Sequence, residues 1–335
     1  MLQTVLDVHA LKTFAKALLC LSKYGDDLTL HASSDVLSLS ATNSSKSAYC
    51  RFRFVKTFFS RYYLDIPPPN DDVVGQVLTK SLLSVLKHKT LDKSIERCEL
   101  CIYDGAQPGS TAENKDVESK LVIRMHCKHG VVKTHCLLLM SHGTLLAPSV
   151  SDQSEECRVI IGSRILKEML EHFPTAKGKS DPRLVWSFGE TEVGVKSLDG
   201  GIDNKGKVQI TTELTVNASE FDDYLIHEPP MTLAFHLREF SATIAYADSM
   251  NLSLVLRFTD PAAPLYIEID GENDSAETLF VISTSQVHGA PIRASNSTGY
   301  TVSGGPKRER EERTVTPAPS KKLIRAVHPS DAGAI

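Results

Sequence analysis

A chain of 335 residues with 41% apolar content suits about two packed domains. No apolar run approaches the ~20 residues of a membrane-crossing helix, and the amino terminus lacks the basic start and apolar stretch of a secretion signal, so a place inside the cell is expected. Residues 286–335 hold eight of the 37 bases and four of the 41 acids, which makes that tail +4 and the body before it −8; a surface that coats nucleic acid everywhere is excluded, and a confined basic patch is not.

Residues 7–23 place Val8, Leu11, Phe14, Ala15, Leu18 and Leu21 at helical spacing, with Gly25 as a stop. Residues 28–30, 36–41 and 48–54 are short β-rich pieces separated by Ser-Ser-Asp and Asn-Ser-Ser turns. Residues 67–72 break the pattern, and helical spacing returns over 79–89 with Leu82, Leu83, Val85 and Leu86. Strands are predicted at 95–103, 120–128 and 131–140, the last two joined by a tight hairpin at His129-Gly130. Residues 104–118 read as a surface loop and 141–157 as a linker.

The order then repeats. A strand is predicted at 159–161, a helix at 163–173 ended by Pro174, a hairpin at 183–198 and a strand at 208–217. A strand at 231–235 leads into a helix at 236–247, and strands at 252–258, 265–269 and 278–284 close the series. Each half thus has an early helix, a late helix and many short antiparallel strands, without a residue-level repeat. Residues 286–335 turn to Gly, Pro, Ser, Thr and charge, which cannot bury enough apolar surface to offset chain entropy, and read as disordered.

Lys12, Lys16 and Lys23 fall within about 40° of one another at 100° per residue. Lys80 and Lys87 repeat the seven-residue spacing, and Arg164, Lys167 and Arg238 occupy the helices that correspond by order. A few cations on one face of each of four helices suit phosphate contact without base reading; an ordinary solvated face is the plainer alternative. The seven cysteines are scattered and odd in number, and in a reducing compartment they read as small buried apolar groups without disulfides.

His126, Cys127, His129, His135 and Cys136 are a dense set of soft ligands. With the turn at His129-Gly130, His126 is expected across from Lys133, and no four ligands converge, so no metal is assigned. Arg124, His126, Lys128, Lys133 and His135 are expected instead to form a basic outer face, with Leu121, Ile123, Met125 and Cys127 inward. There is no Gly-rich phosphate loop, nucleophile elbow or HExxH; the acidic pairs Asp26-Asp27, Asp71-Asp72 and Asp222-Asp223 read as turn residues. No catalytic residue and no cofactor is expected.

Residues 43–59 (Asn-Ser-Ser-Lys-Ser-Ala-Tyr-Cys-Arg-Phe-Arg-Phe-Val-Lys-Thr-Phe-Phe), 127–135 (Cys-Lys-His-Gly-Val-Val-Lys-Thr-His), 237–240 (Leu-Arg-Glu-Phe) and 245–252 (Ala-Tyr-Ala-Asp-Ser-Met-Asn-Leu) together resemble, in order, the Rad-nine family of DNA-damage checkpoint clamp subunits. The resemblance spans about residues 11–283. It implies an α+β fold of two sliding-clamp domains, 1–140 and 158–285, each an antiparallel sheet backed by two helices, joined by a connecting loop at 141–157 and followed by the tail.

In the family the helices line a central hole, and Lys12, Lys16, Lys80, Lys87, Arg164 and Arg238 match basic positions, with Lys23 following through Leu21-Ser22-Lys23. The implied partners are the two other subunits of the nine-one-one ring, a clamp loader, double-stranded DNA held non-specifically, repair enzymes and a BRCT-repeat checkpoint mediator, all in the nucleus. Strands 96–102 and 185–196 are expected at the edges that meet neighbours. Leu145 and Leu146 are candidates for a partner-peptide pocket, Lys307, Arg308, Lys321 and Lys322 for nuclear import, and Ser285 and Thr316 for phosphorylation. This tail lacks an obvious series of phosphorylation sites. Exonuclease activity has been attributed to the family, but only Asp65, Asp71 and Asp72 near residues 51–91 could serve a two-metal reaction. That nuclease and a homotrimeric replication clamp are the alternatives to a heterotrimeric checkpoint clamp.

Overall fold

The computed structural model describes residues 1–65, 72–86, 94–103, 118–141, 148, 156–173, 182–198, 212–270 and 275–287. The expectations for the tail, for 67–71, for 104–117 and for most of 141–157 lie outside the described residues.

One series of elements runs twice along the chain. The first half comprises β1 (Leu2–Asp7), α1 (Val8–Tyr24), β2 (Asp27–Ala32), β3 (Val36–Thr42), β4 (Ala48–Val55), a 3-10 turn (Lys56–Phe58), β5 (Arg61–Leu64), β6 (Val73–Leu78), α2 (Thr79–Leu86), β7 (Ile95–Tyr103), β8 (Lys120–Cys127) and β9 (Val132–Leu138). The second comprises β10 (Cys157–Gly162), α3 (Ser163–Glu171), β11 (Arg183–Phe188), β12 (Glu192–Leu198), β13 (Glu213–Asn217), a 3-10 turn (Ala218–Glu220), β14 (Asp223–Leu225), β15 (Met231–His236), α4 (Leu237–Met250), β16 (Ser253–Phe258), β17 (Leu265–Asp270) and β18 (Ala276–Ile282). The sequence reading found the four helices and most strands, and passed over β1, β5, β6 and β14.

All strand pairs are antiparallel. The sheets run β5-β1-β7-β8-β9, β13-β12-β11-β15, and a nine-stranded β14-β10-β16-β17-β18-β4-β3-β2-β6. The nine-stranded sheet joins the two halves through β18 and β4, in register from Ala276↔Phe54 to Ile282↔Ala48. Apolar side chains on its inner face make a shared core: the Phe52 ring lies 4.9 Å from Tyr246 and 5.6 Å from Phe280, and Phe14 lies 5.3 Å from Phe54. All five of these rings are buried, so the halves are bound by rings as well as by a hydrogen-bond ladder.

Each helix follows a strand directly. Asp7 ends β1 and caps α1, its Oδ1 accepting from the His9 and Ala10 amides at 2.8 Å each, a contribution of about 1 kcal/mol. Gly25 closes α1 and donates its amide to Leu21 O; a Cβ there would stand 2.5 Å from Thr42 O, so only glycine lets the chain turn this close to β3. The helices contact one another in the sequence α2, α1, α4, α3 and pack against the strands of both halves, forming one row.

The strands expected at the edges are interior ones. Residues 96–102 fall in β7, paired on one side with β1 and on the other with β8, and 185–196 falls in β11 and β12, which pair with β15, each other and β13. Among the described residues β9 and β13 are edge strands paired on one side only, as are β5, β6, β14 and β15. A second correction concerns the 120–138 hairpin. Its turn is the three-residue Lys128–Gly130, with φ 62° at His129 and 74° at Gly130, which sets His126 opposite Val132 and Met125 opposite Lys133. That one-residue slip moves Lys133 and His135 onto the face shared with Met125 and Ile123, away from Arg124 and His126. Cys136, expected to be buried, is exposed, while the other six cysteines are buried.

Candidate nucleic-acid interface

The row of helices presents one face to the sheets and the other outward, and the cations predicted from spacing lie on its outer side. Lys12 and Lys23 are exposed on α1 and carry no ion pair among the described residues. Lys16 turns sideways: its ammonium donates to Ser249 O at 2.6 Å, binding the last turn of α4, where carbonyls lack helical partners. Lys80 pairs with Asp26 at 2.6 Å. On α3, Arg164 pairs with Glu168 at 3.1 Å within the helix, and Lys167 reaches Asp248 of α4 at 2.7 Å. The hydrogen bond to Asp248 holds the Lys167 ammonium above its ordinary pKa. Arg238 is exposed in the first turn of α4. Lys87 lies outside the described residues.

Beneath these side chains the junction of α1 and α4 is polar as well as aromatic. The Tyr24 hydroxyl and Thr243 Oγ1 are 2.6 Å apart and both residues are buried, and burial drives the Tyr24 phenol well above its usual range. Glu239, buried in the first turn of α4, accepts from Asn43 Nδ2 at 3.1 Å.

The edges of the sheets form a second set of surfaces. β9 exposes Val132 and Leu138 on the side shared with Arg124 and His126. On that face Glu99 takes His126 at 2.8 Å and Arg124 at 3.7 Å. The edges of β6 and β15 are each bridged by the segment that follows β9 or β18, Gln76 to Met140 and Ala234 to Ser285. Ser285, the phosphorylation candidate, thus has its amide bound to Ala234 O at 2.8 Å.

A cavity of about 560 Å³ opens at the Ala48/Ile282 end of the β4–β18 junction. It is walled by the turn from Asn43 to Ala48, by Tyr49 and Val281 from the paired strands, by Pro264, and by Pro148 of the connecting segment. Tyr49, Leu279 and Val281 form a small apolar cluster on the sheet face opposite the main core. Leu145 and Leu146 lie outside the described residues, as do Lys307, Arg308, Thr316, Lys321 and Lys322. Sequence reasoning missed this cavity because its walls come from six separated segments.

Of the three acids weighed for metal chemistry, Asp72 is bound to His31 at 2.6 Å, Asp65 donates its amide to Met1 O at 2.8 Å, and Asp71 is outside the described residues. Among the described residues no three His, Cys, Asp or Glu side chains are grouped to hold a metal ion, and no helix is long and apolar enough to cross a membrane.

The Rad9 family model matches residues 14–285. The chain belongs to the Rad9 family. It is 24% identical over 311 residues to the DNA repair protein rad9 of Schizosaccharomyces pombe, covering 84% of this chain and 70% of that one. It is 23% identical over 274 residues to the cell cycle checkpoint control protein Rad9 of Drosophila melanogaster, covering 82% of this chain and 54% of that one. Among solved structures it is similar to PCNA from Thermococcus kodakaraensis, with a TM-score of 0.61 at 15% identity over 85% of this chain and all of the other. A PCNA from A. fulgidus with the C-terminal region of FEN-1 bound aligns with a TM-score of 0.58 at 12% identity over 86% of this chain and 99% of that one. The Rad9-family fold is therefore that of a sliding clamp.

Proposed function

We propose that this chain is one of three non-identical subunits of a nuclear ring that a clamp loader places around duplex DNA at damage sites, where it serves checkpoint-kinase activation and repair-protein recruitment. The observation that carries the ring is the internal duplication. β18 pairs with β4 inside the chain, and the strands at the equivalent places in the repeated series, β9 and β13, have open edges. The β9 edge of this subunit meets the β13-like edge of one neighbour, and its β13 meets the β9-like edge of the other. Head-to-tail contacts of this kind close into a ring when the rotation permits. The names of the yeast and fly relatives, a DNA repair protein and a cell cycle checkpoint control protein, support the damage and checkpoint roles.

In this reading Lys12 and Lys23, with Arg238 and with Lys80, Arg164 and Lys167 exchanging their carboxylate partners for phosphates, contact the backbone of DNA in the hole, Arg238 also giving up its present contact. The contacts are few and salt-sensitive, and linkage rather than affinity retains the ring. The subunit is a scaffold without its own catalysis. Its cavity beneath the connecting segment takes a peptide of a repair enzyme, of the kind that the A. fulgidus clamp holds from FEN-1, and its tail receives the BRCT-repeat mediator.

Native mass spectrometry of the chain, alone and mixed with the two other ring subunits, tests the assembly. A one-to-one-to-one complex that a proline in β9 (Thr134→Pro) abolishes is expected; a homotrimer, or a complex indifferent to that proline, overturns it. For the cavity, Val281→Asp is expected to abolish binding of the FEN-1 C-terminal peptide.

A further inference from the structure

Asn43 and Glu239 are 196 residues apart in sequence. Asn43 opens the turn that walls the cavity, and Glu239 sits in the first turn of α4 among the helices. The orientation of the Asn43 amide is fixed by its own turn. Its Oδ1 accepts from the Ser47 and Ala48 amides at 2.8 and 3.0 Å, so the side-chain oxygen must point into the turn. That leaves Nδ2 to find acceptors: Ser47 Oγ at 3.0 Å, and the Glu239 carboxylate at 3.1 Å. Glu239 is only 4% exposed. A carboxylate that has lost its water is costly unless charge-stabilising donors replace it; here the Asn43 amide supplies one, and the positive end of α4 supplies a favourable field.

The turn is also braced by its own backbone, where the Asn43 amide donates to Ala48 O at 3.1 Å. Lys46 stands at φ 57°, a left-handed conformation that is strained for a non-glycine residue, and its amide binds Asn43 O at 2.9 Å. Ser47 O in turn accepts the Ser283 amide at 2.8 Å, so the position of the turn is passed to the adjoining part of the cavity lining, Ser283 and Val281.

We infer that Glu239 is a positioning residue for the partner-peptide cavity: through its hydrogen bond to Asn43, the ring-lining helix α4 fixes the turn that walls that cavity, and thereby sets peptide affinity. The inference rests on reading the cavity as a peptide site. Glu239→Gln keeps an acceptor oxygen and Glu239→Leu removes it, at similar size.

The experiment uses the full chain with two readouts: hydrogen exchange of the Ser47, Ala48 and Ser283 amides, and the Kd of the FEN-1 C-terminal peptide by fluorescence anisotropy. For Glu239→Leu, exchange at those amides is expected to rise at least tenfold and the Kd about tenfold, while Glu239→Gln stays within twofold on both. Exchange at β11 and β12, remote from the turn, serves as the control for general destabilisation. Unchanged exchange in Glu239→Leu overturns the inference, as does loosened exchange with an unchanged Kd in a chain whose binding Val281→Asp abolishes. If the wild-type chain does not bind the peptide, the reading of the cavity fails by itself, and exchange alone decides whether Glu239 positions the turn.

Discussion

The two halves of this chain repeat each other strand for strand, yet their helices differ in charge. Within α1 and α2 there are four lysines, Lys12, Lys16, Lys23 and Lys80, and no acid. Within α3 and α4, Arg164, Lys167 and Arg238 are set against Glu168, Glu171 and Asp248, with a fourth acid, Glu239, buried. Topology is fixed by which strands pair and which faces are apolar; charge on the outer side of a helix is free to vary without disturbing either. The comparison teaches that the hydrophobic plan is the same in both halves while the charge on the outer side of the helices is not, so under the proposed function the grip on phosphate would be concentrated in the first half.

The largest effect is expected where the halves share structure. Phe52 touches Phe54, Tyr246 and Phe280, so Phe52→Ala should cost about 3–5 kcal/mol. Calorimetry should show one transition at a lower Tm. Two separated transitions would mean that the halves fold independently and that their shared core contributes little.

Next in size is the charge asymmetry itself. Lys12→Glu with Lys23→Glu removes two cations that have no carboxylate partner among the described residues, and should weaken binding to short linear duplex, where no topological linkage holds the ring, roughly tenfold and reduce the salt slope by about 2. Arg164→Glu with Lys167→Glu removes cations already engaged by Glu168 and Asp248 and should do less. Equal losses from the two pairs would erase the proposed asymmetry.

A third test compares the joined edge with the open one. Cys136 on β9 is exposed, whereas Cys50 on β4 is buried with its thiol held well above the ordinary range by burial. Burial likewise pushes Cys98 up to about 12, so neither forms appreciable thiolate at pH 7.5. A maleimide should therefore label Cys136 alone in the isolated chain, counted by intact mass. Assembly with neighbours should slow that labelling by about tenfold if β9 is the edge that is covered.

Much of this was legible in the sequence, and what was not failed for physical reasons. Helix spacing gave all four helices, α1 to α4, because an apolar stripe is a local property. β1 alternates cleanly through Leu2, Thr4 and Leu6, and was missed because the helix pattern starting at Val8 eclipsed it. β14, three residues long, has too few positions to show a period at all. Edge status was misassigned to 96–102 and 185–196 because it depends on the order in which distant strands assemble, which no single segment records. The basic residues were found, but not that Lys16 would bind α4 or that Lys167 would meet Asp248, since both contacts join segments more than 80 residues apart. The bond between Asn43 and Glu239 was hidden for the same reason.

The smallest effect separates the shared core from the charges laid over it. Arg53 on β4 and Glu277 on β18 face each other across the junction, 2.6 Å apart, and both are substantially exposed. A solvated pair of this kind loses most of its attraction to screening and side-chain entropy, so Glu277→Gln should cost less than about 1 kcal/mol. High salt should shrink that difference further, because exposed charges are screened. Urea unfolding of both forms at low and high salt measures it. A cost approaching that of Phe52→Ala would mean that the halves are held by charge across the ladder rather than by the rings beneath it, and the contrast between a retained apolar plan and a variable charged surface would lose its physical basis.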